Sequence, residues 1–170
     1  MLCLTVVTRR RKPFGKARPS PRTGVAKELV FLVAEDDSID LELLMHSVDQ
    51  SGLVVNVQVA GDGEEAIEYL IGKGKFADRS SHPFPQVVIL DLKMPRMDGL
   101  EVLRWIRRRP RFAGLPVVML SGSGLEKDVD AAYQLGANSY FTKPYELEQL
   151  QELVRLLIEY WSRSERPSLG

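Results

Sequence analysis

Apolar residues in this chain come in short blocks that end on polar or charged residues. Val87, Val88, Ile89 and Leu90 form an unbroken run of strand-favouring residues, too short for a helix, that stops at Asp91. Residues 29–34 run the same way into Glu35, Asp36 and Asp37, residues 116–120 deliver Ser121 and Gly122, and residues 138–142 deliver Lys143 and Pro144. Residues 54–60 alternate apolar with polar and read as a further strand. Between these blocks the period becomes helical. Ser38 reads as the cap of a helix to about Ser51, which Gly52 stops. Asp62 with Glu65, Asp98 with Glu101 and Ser123 with Glu126 repeat an N-cap with an acid three residues on, opening helices to about Ile71, Arg108 and Gly136. The last helix is expected from about Glu146 to Arg163. Five strands alternating with five helices predict an α/β fold, a doubly wound five-stranded parallel sheet with helices on both faces.

Two stretches fall outside the alternation. Residues 72–86 carry Gly72, Gly74, Pro83 and Pro85 and read as a solvated insertion. The Gly72-Lys73-Gly74-Lys75 run follows a helix and lacks Walker spacing, so phosphate binding is set aside there. Residues 1–27 read as a disordered basic arm, residues 28–163 as the folded domain and residues 164–170 as a tail. In the last helix, Leu147, Leu150, Val154, Leu157, Ile158 and Trp161 make a core-facing stripe, and Leu153, Leu156 and Tyr160 make a second stripe beside it. Together they span about 200° at about 100° per residue, about twice what packing on a sheet demands. Either a partner covers the surplus or the chain itself does.

Charge changes the picture in one respect. The formal net charge of +0 hides a segregation, because eight basic residues precede the first acid, Glu28. Taking these eight from 23 basic residues leaves 15 against 23 acidic ones, net −8. An acidic domain behind a basic arm argues against a compact nucleic-acid-binding module, leaving only the arm for that purpose. Arg107, Arg108 and Arg109 complement the end of their helix dipole. The lone Cys3 allows no internal disulfide, and no apolar run reaches the roughly 18 residues of a membrane span, so a soluble, cytoplasmic protein is expected. His46, beside Met45 in the first helix, reads as an ordinary surface histidine.

Parallel strand order places Glu35, Asp36, Asp91, Ser121 and Lys143 together at the carboxyl edge of the sheet, where open α/β sheets bind ligands. Clustered carboxylates repel one another and suit a hard cation such as Mg²⁺. Lysine supplies a point charge and serine a hydrogen-bond donor, both suited to phosphoryl oxygens. Phosphoryl transfer to Asp91 is the leading expectation. Three acids at the first loop disfavour a flavin phosphate there, and Lys93 stands where a haloacid dehalogenase phosphatase places its second aspartate. Two alternatives are an adaptor of the same fold with an idle site and a nucleic-acid-binding protein acting through the arm. Only about 26 residues follow Pro144, so no DNA-binding output domain is expected.

Over about residues 28–161 the sequence resembles receiver domains of two-component response regulators. The resemblance rests on Glu35-Asp36-Asp37, Asp62-Gly63-Glu64-Glu65-Ala66, Asp91-Leu92-Lys93-Met94-Pro95-Arg96-Met97-Asp98-Gly99, Ser121-Gly122, Gly136-Ala137 and Tyr140-Phe141-Thr142-Lys143-Pro144. It implies the flavodoxin-like strand order 2-1-3-4-5, with Asp91 as phospho-acceptor and a sensor histidine kinase as partner. It implies Mg²⁺ held by Asp36 and Asp91, by Glu35 through water and by the Lys93 backbone carbonyl. It further implies that Ser121 and Lys143 bind the phosphoryl group, that Ser121 and Tyr140 switch, and that the Lys143-Pro144 bond is cis. Such a protein is a phospho-acceptor and not a conventional turnover enzyme. Lys93 and Ser123 occupy positions that tune dephosphorylation in the family. The long connection before the third strand, residues 35–38 and the lack of a second domain are similar to stand-alone regulators that partner bacterial phytochromes. Those relatives pair through the fourth helix, fifth strand and last helix, which agrees with the surplus stripe of Leu153, Leu156 and Tyr160.

Overall fold

Five apolar blocks become five parallel strands: β1 (Val30–Ala34), β2 (Asn56–Ala60), β3 (Val87–Leu90), β4 (Val117–Ser121) and β5 (Ser139–Thr142), in the sheet order β2-β1-β3-β4-β5. The helices are α1 (Ser38–Ser51), α2 (Gly63–Ile71), α3 (Gly99–Arg107), α4 (Glu126–Gln134) and α5 (Leu147–Arg163). The computed structural model describes residues 29–165, so the predicted basic arm, Cys3 and most of the tail lie outside the described residues. The central strands β1, β3 and β4 are buried at every position, whereas the edge strands β2 and β5 are mostly half-buried. That difference explains the unbroken apolar runs in the former and the mixed composition of the latter.

Strand side chains alternate between two cores. Leu32, Ala34, Val88, Leu90, Val117 and Met119 face α2, α3 and α4, where Tyr69, Leu70, Leu103 and Ile106 pack. Phe31, Val33, Val87, Ile89, Val118 and Leu120 face α1 and α5, where Leu44, Val48, Val154, Leu157, Ile158 and Trp161 pack. The predicted core stripe of α5 is buried over Leu150, Val154, Leu157, Ile158 and Trp161. Of the second stripe, Leu153 is half-buried against that core, while Leu156 and Tyr160 are exposed.

Several local expectations are corrected. The cap of α1 is Asp37, whose carboxylate accepts from the Ile39 and Asp40 amides, because Ser38 already has helical geometry. Asp98 and Glu101 do form a reciprocal capping box. At α2 the Asp62 carboxylate accepts from Glu65, but the Glu65 side chain reaches back one residue further, to the Gly61 amide. Ser123 is not the cap of α4, which is Leu125; its hydroxyl donates to Asp128 (2.5 Å) and accepts from the Leu125 amide at 3.5 Å, before the helix begins.

The predicted solvated insertion is solvated only in part: residues 73–75, 77, 78, 80 and 81 are exposed, while Phe76 and Pro85 are buried. Residues 72–86 contain a 3₁₀ turn (Gly74–Phe76) whose Phe76 is buried, and Tyr69, Phe76 and His82 form a cluster of tilted and edge-on rings. The Arg107 guanidinium does not merely face the helix dipole: it donates to the Gly136, Ala113 and Leu115 carbonyls and to Asn138 Oδ1, fixing the loops around β4 and β5. The Lys143-Pro144 bond is trans, and no cis peptide occurs among the described residues. For an X–Pro bond the trans form is favoured by about 0.5–1 kcal/mol.

Candidate functional site

Ladder hydrogen bonds continue one residue past the strands and thereby place the site. The Glu35 amide donates to the Ala60 carbonyl (3.1 Å), the Asp91 amide to Ala34 (3.0 Å) and the Lys143 amide to Ser121 (2.8 Å). Each charged residue that directly follows a strand is thus held by the sheet itself, at the carboxyl edge where sequence order put it. Carboxylate oxygens of Glu35, Asp36 and Asp91 come within 4.8 Å of one another. Glu35 and Asp91 are buried, while Asp36 is exposed.

Two carboxylates out of water are expensive unless a cation compensates them. Lys143 supplies one: its ammonium lies 2.6 Å from Glu35 Oε2, 2.6 Å from Asp40 Oδ2 and 3.8 Å from Asp91 Oδ1. Burial pushes the Glu35 carboxyl above its ordinary range, and the Asp91 charge adds to this; the Lys143 hydrogen bond and charge oppose it without reversing it. Burial alone would lower the Lys143 ammonium. Hydrogen bonds to Asp40 and Glu35, with the charges of Asp91 and Glu35, outweigh it, so Lys143 is raised and stays charged.

Asp91 itself is left partly unsatisfied. Its Oδ2 accepts from the Lys93 amide (3.2 Å), but Oδ1 is buried with no hydrogen-bond partner. A buried carboxylate oxygen that makes no hydrogen bond, faces the Lys143 ammonium only at 3.8 Å and lies beside two other carboxylates is what a hard divalent cation or an added phosphoryl group would complete. The residues present therefore fit a divalent metal site.

The β4–α4 side is more loosely made. Ser121 is buried, with its hydroxyl accepting from the Ser123 amide at 3.4 Å, a long contact. The Tyr140 hydroxyl donates to the Ser123 carbonyl (2.7 Å), and burial raises its pKa above the ordinary value. Lys93 is exposed at the rim, and its backbone amide is already engaged with Asp91.

The loop between β3 and α3 is shaped by two glycines and one strained arginine. A Cβ on Gly99 would lie 2.0 Å from the Asp91 carbonyl, and one on Gly63 would lie 2.3 Å from the Met97 carbonyl. Each glycine follows a capping aspartate, but its reason is close backbone approach and not helix opening. Arg96 adopts φ +65°, and its guanidinium pairs with the buried Asp62 and with Glu64 (3.5 Å). It joins the loop after Asp91 to the start of α2.

All five residues expected at the strand ends, Glu35, Asp36, Asp91, Ser121 and Lys143, do converge on one cleft. Tyr140 flanks it through Ser123. Leu153, Leu156 and Tyr160 stand on α5, outside this set of contacts. Sequence reading missed Asp40, Arg96 and Asp128. Asp40 carries a usable signal, since it falls one turn after the capping Asp37 and so on the same side of α1. Arg96 carries none, because nothing in an arginine announces a left-handed backbone.

Residues 31–155 match the response regulator receiver domain model. Two similar proteins are the probable methanogenesis regulatory protein FilR2 of Methanothrix harundinacea and the response regulator Rcp1 of Synechocystis. FilR2 is 33% identical over 82% of this chain and 89% of its own length. Rcp1 is 33% identical over 78% of this chain and 88% of its own length. Among solved structures, RPA3017, a response regulator in red light signaling of R. palustris, superposes with a TM-score of 0.78 at 34% identity, over 82% of this chain and 99% of that one. The phosphorylated cyanobacterial phytochrome response regulator RcpA follows at 0.76 and 34%, over 83% and 99%. The Mn²⁺-bound form of Rcp1 gives 0.73 and 32%, over 82% and 99%. With the family model matched across the sheet and the site, this chain belongs to the response regulator receiver domain family.

Proposed function

We propose that the protein is a phosphorelay response regulator in which Asp91 accepts a phosphoryl group from a phosphohistidine of a sensor histidine kinase. The observation that carries this reading is the buried Asp91 Oδ1, which makes no hydrogen bond and is set between two further carboxylates and the Lys143 ammonium. An Asp91 carboxylate oxygen attacks phosphorus, the new P–O bond forms, and the histidine nitrogen departs with the electron pair of the broken P–N bond. Asp36 and Asp91, with Glu35 through water and the Lys93 backbone carbonyl, would hold Mg²⁺, which supplies charge neutralisation to the transferring phosphoryl oxygens. Lys143 takes one phosphoryl oxygen as a point charge and Ser121 another by hydrogen bond. Tyr140, tied to the Ser123 carbonyl, follows the β4–α4 loop as Ser121 shifts. The Ser121 hydroxyl accepts from the Ser123 amide only at long range, so weakening that contact as the hydroxyl turns to donate to a phosphoryl oxygen costs little, which suits a switch.

Similarity to RPA3017 and RcpA, named for red light signaling and phytochrome response, supports a phytochrome-type kinase as the donor. The exposed Leu156 and Tyr160 on α5 support signalling by protein contact, with a homodimer through α4, β5 and α5 as the form. The test of the chemistry is Mg²⁺-dependent labelling by a small phosphodonor. The wild type should label and Asp91→Asn should not; equal labelling of the two sinks the mechanism. For the dimer, sedimentation should show that Leu156→Glu is monomeric, and an unchanged dimer removes α5 from the interface.

A further inference from the structure

Lys143 makes its two shortest contacts with carboxylates other than the proposed acceptor. It lies 2.6 Å from Glu35 Oε2 and 2.6 Å from Asp40 Oδ2, against 3.8 Å from Asp91 Oδ1. These partners differ in how they would tolerate losing it. The Glu35 side chain is 6% exposed and would be left as a buried charge, whereas that of Asp40 is 42% exposed and would return to water. Asp40 also lies outside the carboxylate cluster suited to a metal, which comprises Glu35, Asp36 and Asp91. Its place is fixed by the cap of α1: the Asp37 carboxylate accepts from the Asp40 amide (3.1 Å), turning the first turn of the helix toward Lys143. A rigidly placed, releasable carboxylate on the lysine, and off the metal cluster, has no part in holding the phosphoryl group. It does compete for the cation that would.

We propose that Asp40 is a positioning residue that holds Lys143 away from Asp91 while the acceptor is unmodified, so that phosphorylation proceeds by exchange of Lys143 from Asp40 to the phosphoryl oxygens. The inference rests on the phospho-acceptor reading of Asp91. Its sign follows from electrostatics. The Asp40–Lys143 pair stabilises only the phosphoryl-free state, and the Asp40 charge also repels an arriving anion, so both effects weigh against the modified state. Removing the charge relieves both at once. The Asp40→Asn variant keeps the shape and an oxygen that can accept from Lys143, and its half-exposed site keeps the fold out of question.

The test is calorimetric titration of the Mg²⁺-loaded full chain with beryllium fluoride, which stands in for the phosphoryl group on an aspartate. Asp40→Asn should bind about fivefold more tightly than wild type, the scale of one ion pair of this exposure, and Asp40→Glu should restore wild-type affinity within about twofold. Mg²⁺ binding measured without fluoride should differ by less than about twofold between wild type and Asp40→Asn, which separates a lysine-positioning residue from a metal ligand. Unchanged or weaker beryllium fluoride binding in Asp40→Asn, with wild type binding normally, overturns the inference alone; so does a tenfold loss of Mg²⁺ affinity. A wild type that binds no better than Asp91→Asn instead overturns the phospho-acceptor reading, and this inference with it.

Discussion

Beside β2, Tyr69 of α2 is fully buried, meets the rings of Phe76 and His82, and donates its hydroxyl to the Pro83 carbonyl (2.5 Å). Beside β5, Tyr133 of α4 is half exposed and its hydroxyl merely accepts from the Tyr140 amide (3.2 Å). The contrast extends to the elements around them. On the β2 flank Arg79 closes the C-terminal end of α2 by donating to Leu70 (2.9 Å), and Arg96 locks the start of α2 to the loop after Asp91. On the β5 flank α4 buries Ala132 alone, no side chain caps its first turn, and Leu125 stands exposed. Both flanks adjoin one site, yet only one has the packing to stay fixed when the contents of the site change. Regions that open most readily are those with the fewest buried contacts, and beside an α2 that buries Ala66, Tyr69 and Leu70 that description fits α4.

Truncating the aromatic cluster should break the stronger flank. Phe76→Ala removes a buried ring that contacts both Tyr69 and His82, and the expected loss is about 3–5 kcal/mol in chemical denaturation. A loss below about 1 kcal/mol would place residues 72–86 outside the cooperative fold and erase the contrast.

A smaller effect should come from alkali. Burial pushes the Tyr69 hydroxyl from 10.0 up to about 12, with the Arg79 charge opposing. A group raised in the folded state contributes stability that is whole below its unfolded pKa and is lost as pH climbs through the folded one. Stability should therefore fall between pH 10 and about 12, by about 2–3 kcal/mol from this group. Urea titrations of wild type and Tyr69→Phe across that window check it: the wild type should lose more stability on going from pH 9 to 12. Parallel slopes would show that Tyr69 ionises as freely folded as unfolded.

The same contrast marks how far sequence carries. Strands were legible because β1, β3 and β4 are buried on both faces, which leaves runs such as Val87 to Leu90 with no other reading. The site was legible because Glu35, Asp91, Ser121 and Lys143 end or directly follow strands, and parallel order alone gathers them. The order of the strands was not in the pattern and entered with the family resemblance. What stayed hidden depends on partners distant in the chain. Tyr69 meets His82 and Pro83 across a stretch whose glycines and prolines resemble a loose loop, and Arg107 reaches Gly136 and Asn138 although its position at a helix end offers a sufficient local account. The capping pattern at Ser123 failed for the opposite reason: the local signal was present, but Asp128 took the hydroxyl and α4 began three residues later. Local rules reach about one turn, whereas Asp40 finds Lys143 across 103 positions.

The weaker flank yields the smallest expected effect. Tyr133→Phe deletes the acceptor of the Tyr140 amide while keeping the ring. Were that amide sealed in the core, stranding it would cost the full desolvation penalty of about 1–3 kcal/mol. Tyr140 lies instead on the edge strand, half-buried, and its outward amide can turn to water. The expected cost is therefore under about 1 kcal/mol by denaturation. Hydrogen exchange should report it more sharply: the Tyr140 amide should exchange faster in the variant, while amides of β1 and β3 keep their protection. A stability loss approaching that of Phe76→Ala would mean that α4 is held as firmly as α2. The exposure of Leu125 and Tyr133 would then have to be explained by something other than a flank free to move.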